Sequence, residues 1–218
     1  MDKFVIRGGK RLEGEIVING SKNATLPIVV ASVMSDEPSI IYNVPNLADV
    51  KSMVSLLKVL GAKSDSRDKV LCIDPSNCDR FEAPYDLVRK MRASIYVLGA
   101  LLTRLGRARV SFPGGCVIGT RPVDLHLMGM EKLGAKISIE HGYIVAHADR
   151  LVGTDIHLRG PHGSSVGATV NVMMAAVCAE GITNIKEAAC EPEIVELAAF
   201  LNAMGAKIDG AGTPVITI

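Results

Sequence analysis

Leu60-Gly61-Ala62-Lys63 returns as Leu133-Gly134-Ala135-Lys136 and again as Met204-Gly205-Ala206-Lys207, at intervals of 73 and 71 residues. A phrase that recurs at a near-constant interval marks a repeated structural unit. Ahead of each phrase runs an amphipathic helical pattern: Leu47, Val50, Val54, Leu57 and Leu60; then Leu125, Met128, Met130 and Leu133; then Ile194, Leu197, Ala198, Leu201 and Met204. Each glycine falls where a helix ends on a left-handed residue. After the phrases come paired short strand-like runs, with 69–73, 143–146 and 214–218 as the second of each pair. Before the amphipathic helices lie strands at 39–42, 109–112 and 183–186. Before those lie segments apolar nearly all round, at 25–34, 93–105 and 168–179.

The unit is therefore helix, strand, helix, strand, strand, with room for a leading strand, and repeats span about 22–75, 82–148 and 155–218. A helix apolar on every side must be buried on every side. Three of them imply a shared helical core wrapped by strands and amphipathic helices, an inside-out α/β barrel or prism. An ordinary layered α/β domain is the alternative. Residues 1–21 stand outside the pattern, and 4–6 and 15–18 read as two strands around a glycine-rich turn.

Composition narrows the function classes. With 48% hydrophobic and 22% charged residues the chain can bury a core, and with 4% aromatics and no Trp that core is aliphatic. A net charge of +1 leaves no basic excess for a nucleic-acid backbone, so a few placed cations facing a small anion fit better. Five cysteines, at 72, 78, 116, 178 and 190, form no C-x-x-C pair, which argues against a disulfide framework or structural zinc and for a reducing cytoplasm. The His residues show no metal-ligand spacing. The charged N-terminus is no signal peptide, and the longest apolar stretches are too short to span a membrane.

Three features bear chemistry. Pro113-Gly114-Gly115-Cys116 sits in a glycine-rich loop before a helix opened by Pro122, where a helix N-terminus and Arg121 lower a thiol's pKa. A buried inert cysteine is the alternative; it suits Cys178, in an apolar helix, better than Cys116. Ser21-Lys22-Asn23-Ala24 opens the first apolar helix with a cation where the dipole disfavours one, so either an anion site or a solvated lysine stands there. Arg92 opens the second apolar helix, and Gly163-Ser164-Ser165-Val166-Gly167 the third. All three core helices thus begin with an anion-friendly feature. Glu191-Pro192-Glu193 reads as a helix start, and His126 is positioned to face a ligand.

Ser21-Lys22-Asn23-Ala24, Met91-Arg92-Ala93-Ser94, Pro113-Gly114-Gly115-Cys116, Gly119-Thr120-Arg121-Pro122-Val123-Asp124-Leu125-His126 and Ser165-Val166-Gly167-Ala168-Thr169 occur in that order. This set resembles the UDP-N-acetylglucosamine 1-carboxyvinyltransferases over essentially the whole chain. The resemblance implies two inside-out domains of three repeats each, with 1–21 belonging to a second domain absent here, and a reaction that moves the enolpyruvyl group of phosphoenolpyruvate onto the 3-hydroxyl of UDP-N-acetylglucosamine. It implies Cys116 as proton donor and site of a covalent adduct, with Lys22, Asn23 and Arg121 around phosphoenolpyruvate. Asn23, Arg92, the run Arg121, Pro122, Val123, Asp124 and Leu125, and the backbone of Ser165, Val166 and Gly167 would bind the sugar nucleotide. It implies no metal or cofactor, no nucleic-acid partner and no membrane. Alternatives are a 5-enolpyruvylshikimate-3-phosphate synthase-like transferase, against which the Cys116 loop weighs, and a non-catalytic sugar-nucleotide-binding module.

Overall fold

A computed structural model describes residues 3–113, 123–161 and 163–218. The first repeat contains α1 (Lys22–Ala31), β1 (Ser39–Ile41), α2 (Ala48–Val59), β2 (Lys63–Arg67) and β3 (Val70–Asp74). In the second come β4 (Glu82–Ala83), the short α3 (Tyr85–Val88), a 3₁₀ turn at Arg92–Tyr96, α4 (Val97–Leu105), β5 (Arg107–Ser111), α5 (Asp124–Lys132), β6 (Lys136–Glu140) and β7 (Tyr143–His147). The third has β8 (Asp155–His157), the small ladder β9 (Arg159–Gly160) and β10 (Gly163–Ser164), then α6 (Val166–Ala176), β11 (Asn184–Lys186), α7 (Pro192–Ala203) and β12 (Val215–Thr217).

The mixed α/β unit is repeated three times. In the second repeat the sheet order is β4-β5-β7-β6, with β4 parallel to β5 and the remaining pairs antiparallel. The first repeat shows the same order without a leading strand, β1-β3-β2. In the third, β8 lies parallel to β11 and β12 antiparallel to it. The three helices expected to be buried all round are the most deeply buried ones: Ala168 through Ala176 of α6 and Val97 through Leu102 of α4 are buried without a break, as is most of α1. The outer helix α2 packs on α1, α5 on α6, and α7 on both. The three phrase glycines adopt φ of 112°, 99° and 105° just past α2, α5 and α7, a backbone region that costs a side chain strain.

Residues 4–6 and 15–18 pair with no strand among the described residues, and Phe4, Ile6, Ile16 and Ile18 are exposed; extended chain makes a ladder only against a partner edge. Three expectations need correction. The third repeat lacks its first hairpin strand, keeping a single bridge between Asp209 and Thr217. The side chain of Asn202 takes both main-chain groups of Ile208, accepting from its N–H at 2.8 Å and donating to its C=O at 2.9 Å, so neither serves a ladder there. Cys178 lies beyond the end of α6 and is exposed rather than buried in it. On α5 the buried face is His126, Gly129, Met130 and the following Leu133, one position round from the Leu125 and Met128 stripe, so a histidine enters the core.

A convergence of helix N-termini

Helices α1 and α6 begin with the same device. Ser21 and Ser165 are the caps; each hydroxyl accepts from the N–H three residues on, Ala24 at 3.3 Å and Ala168 at 3.2 Å. Each serine carbonyl accepts from both the N–H and the hydroxyl of Thr25 or Thr169. The Ser-x-x-Ala-Thr spelling at 21–25 and 165–169 is the sequence signal for it. With those groups satisfied, the N–H groups of Lys22 and Asn23 on one helix, and of Val166 and Gly167 on the other, have no acceptor among the described residues. Free N–H groups at the positive end of a helix dipole form an anion site. Pro27 lacks the N–H that would bond the carbonyl of Asn23, so that carbonyl too is free of its intrahelical donor.

The 3₁₀ turn at the head of α4 touches both α1 and α6, which brings three N-terminal ends together. Arg92 opens that turn and is half-buried. Tyr96 closes it against Gly167, where an added Cβ would lie 3.6 Å from the ring. Burial, then the nearby Glu193 carboxylate, push the Tyr96 hydroxyl up to about 12, so it stays protonated.

The predicted residues on α1 are held by acids on outer helices. Lys22 Nζ lies 3.0 Å from Asp49 Oδ2 in the first turn of α2, and Asn23 Nδ2 donates to Glu193 Oε1 in the first turn of α7 at 3.3 Å. Reading Glu191-Pro192-Glu193 as a helix start holds, Glu191 being the cap and Pro192 the first residue, but Glu193 also reaches the convergence. Of the run before α5, Val123 is buried, Asp124 exposed, and Leu125 rests against Gly160. His126 is buried, and burial with the field of Arg92 lowers its pKa to about 4. The structure therefore gathers Lys22, Asn23, Arg92, Ser165, Val166 and Gly167, and adds Asp49, Tyr96, His126 and Glu193. Cys116, Arg121 and Pro122 lie outside the described residues.

Sequence reasoning gave no role to Asp49 and Tyr96. Asp49 looks like an ordinary first-turn acid and Tyr96 like core; only contacts between helices, with Lys22 for Asp49 and with Gly167 of the third repeat for Tyr96, distinguish them. Among the described residues, no group of three His, Cys, Asp or Glu is placed to hold a metal ion, and no helix is long and apolar enough to cross a membrane.

A mixed α/β fold repeated three times defines a class: residues 6–218 match the EPSP synthase (3-phosphoshikimate 1-carboxyvinyltransferase) family, and the chain belongs to that family. Within it, the similar curated proteins carry a more particular name. The chain is 55% identical over its whole length to the UDP-N-acetylglucosamine 1-carboxyvinyltransferase of Methylacidiphilum infernorum, covering 52% of that protein. It is likewise 55% identical to UDP-N-acetylglucosamine 1-carboxyvinyltransferase 2 of Carboxydothermus hydrogenoformans, covering 51%. The chain thus spans about half the length of these relatives. Among solved structures, the enolpyruvyl transferase NikO from Streptomyces tendae matches 97% of the chain and 49% of its own, with a TM-score of 0.82 at 26% identity. EPSP synthase from Acinetobacter baumannii matches 97% of the chain and 48% of its own, with a TM-score of 0.73; at 15% identity it speaks for the fold alone.

Proposed function

We propose that this chain is the N-terminal half of an enzyme that transfers the enolpyruvyl group of phosphoenolpyruvate to the 3-hydroxyl of UDP-N-acetylglucosamine, releasing phosphate, in cytoplasmic peptidoglycan precursor synthesis. The observation that carries this reading is the 55% identity, along the whole chain, to transferases of that name. The convergence of three helix heads supports it, because both substrates are anions and the helix heads present Lys22, Arg92 and N–H groups left over by the caps.

In this reading the phosphate and carboxylate of phosphoenolpyruvate meet Lys22 and Arg121, with Asn23 beside the reacting centre. Cys116 delivers a proton to the vinyl methylene carbon while the sugar 3-hydroxyl adds to the neighbouring carbon. Loss of phosphate and of a proton from the resulting methyl restores the double bond. Arg92, the run 121–125 and the head of α6 bind the sugar nucleotide. Catalysis requires a second domain that carries the base for the 3-hydroxyl, to which residues 1–21 also belong, so this chain alone turns over nothing. The exposed Phe4, Val5, Ile6, Ile16, Val17 and Ile18 fit a segment that pairs elsewhere. The three buried helices within three small sheets are read as one inside-out prism.

The family's own description favours a second reading, the 5-enolpyruvylshikimate 3-phosphate reaction. The Pro113-Gly114-Gly115-Cys116 loop separates the two, since the shikimate enzymes do not use it. Intact-mass spectrometry of alkylation by fosfomycin, an epoxide mimic of phosphoenolpyruvate, decides. In the full-length gene product, a single adduct on Cys116, accelerated by UDP-N-acetylglucosamine and abolished in Cys116→Ser, is expected. A full-length protein that binds the sugar nucleotide yet stays unlabelled would make the chain part of a binding module instead.

A further inference from the structure

Asn171 is a fully buried amide in α6, a helix whose other buried residues are apolar but for Thr169. Its orientation is dictated by its neighbours. The N–H of Gly99 donates to Asn171 Oδ1 at 2.9 Å, and a backbone N–H can only donate, so that atom is the oxygen. The amide nitrogen then faces two atoms, the carbonyl of Ile95 at 3.0 Å and Nδ1 of His126 at 2.8 Å. Having only hydrogens to offer, it makes Nδ1 an acceptor. An accepting Nδ1 is bare, so the neutral ring carries its hydrogen on Nε2.

The other edge of that ring points at the head of α6. His126 is 2% exposed, and its Cε1 and Nε2 would lie 3.0 and 3.1 Å from a Cβ at position 167. A side chain at position 167 would make the ring edge give way by a few tenths of an ångström. Among the described residues nothing accepts from Nε2, whereas a histidine serving the core alone has both nitrogens satisfied. The charged groups facing the ring are Arg92 and Asp124.

We propose that Asn171 is a positioning residue: it locks His126 as a neutral imidazole whose Nε2–H joins the N–H groups of Val166 and Gly167 as a third donor to the phosphate oxygens of a nucleoside diphosphate. This rests on the sugar-nucleotide reading above and adds to it a fixed tautomer. A neutral donor holds a phosphate oxygen without changing charge across neutral pH, which leaves the charge balance to Arg92.

Nitrogen-15 spectra of the histidine-labelled full-length gene product test this with UDP and UDP-N-acetylglucosamine as probes. His126 is expected to hold the Nε2–H form from pH 6 to 8, a window taken about the ordinary histidine pKa of ~6.5, and its Nε2 signal to move when either probe is added. His126→Gln, which keeps a nitrogen near the ε position, should retain affinity within a few fold. His126→Asn should lose roughly 10-fold to 100-fold, the scale of one hydrogen bond to a charged group. Asn171→Asp places an acceptor at Nδ1, draws the hydrogen there, and should make affinity fall with rising pH. An Nδ1–H tautomer, an Nε2 signal indifferent to bound ligand, or a His126→Asn variant that binds as tightly as the wild type overturns the proposal and leaves the proposed function standing. Should the full-length wild type bind neither probe, the proposed function falls and this goes with it. Spectra of the wild type decide even where a variant fails to fold.

Discussion

Replacing Arg104 by Lys tests what joins the first repeat to the second. The guanidinium, 11% exposed, donates to four main-chain carbonyls: Cys78 at 2.8 Å, Val33 at 3.1 Å, Ser35 at 2.6 Å and Pro75 at 3.1 Å. A fifth bond goes to Asp36 at 3.0 Å, but that carboxylate is 92% exposed and counts for little. The four carbonyls come from the 3₁₀ turn after α1 and the turn after β3, so one side chain on α4 closes two chain ends that offer no donors to each other. Lysine keeps the charge but has three donors without the planar fork, so it abandons at least one carbonyl and strains the rest. At about 1.5–3 kcal/mol for each bond to a charged group, and with carbonyls stranded, the cost is about 3 kcal/mol. For a chain of this size that lowers Tm by about 6–12 °C. Urea and thermal unfolding of the two proteins measure it, with Asp36→Ala as the control, expected to cost less than about 1 kcal/mol. An Arg104→Lys protein within about 1 kcal/mol of wild type would refute the reasoning, because water would then be replacing the guanidinium without penalty.

The three phrase glycines should tolerate alanine unequally. At Gly205 no atom lies within 4 Å of an added Cβ, and at Gly134 only the Arg150 carbonyl, 3.6 Å away, so each alanine costs the backbone strain of a positive φ, about 1–2 kcal/mol. At Gly61 the Cβ would drive into the Asn77 carbonyl, so unfolding of Gly61→Ala should show the largest loss; equal losses at all three would mean that strain, not contact, governs. Stability should also depend on pH through His126. The unfolded imidazole takes its proton near 6.5 and the folded one only near about 4, so between these values the unfolded chain binds more protons. Stability is therefore full above that window and falls as the pH drops through it, by up to about 3 kcal/mol. Asp74 and Asp155, held below the ordinary carboxylate value by hydrogen bonds, lose their contribution only at lower pH still. Denaturation between about pH 4 and 7 should flatten in His126→Gln; an unchanged slope sinks the assignment.

Periodicity was enough to place the elements. Residues buried on all sides at 3.6 spacing have no other stable form than a core helix, and a glycine after an amphipathic run has few roles but to end it, so α1, α4, α6 and the three caps were legible without coordinates. The serine caps depend on neighbours three and four residues away and so belong to local sequence. What escaped was everything that depends on a partner far along the chain. The leading runs at 4–6 and 15–18 have the spelling of strands but pair with no edge among the described residues, and the strand missing before β12 was undone by one amide on α7. The same limit applies at the site. Lys22, Asn23, Arg92 and the 165–167 turn announce themselves by violating the habits of a helix start, an effect local to each helix. That Asp49 holds Lys22, that Glu193 reaches Asn23, and that Asn171 sets the hydrogen on His126 follow only from bringing separate helices, the last two pairs from different repeats, within hydrogen-bond distance. Sequence determines local conformation because backbone sterics and hydrogen bonding act over a few residues; the tautomer and charge of a buried group depend on atoms that only the folded chain brings together.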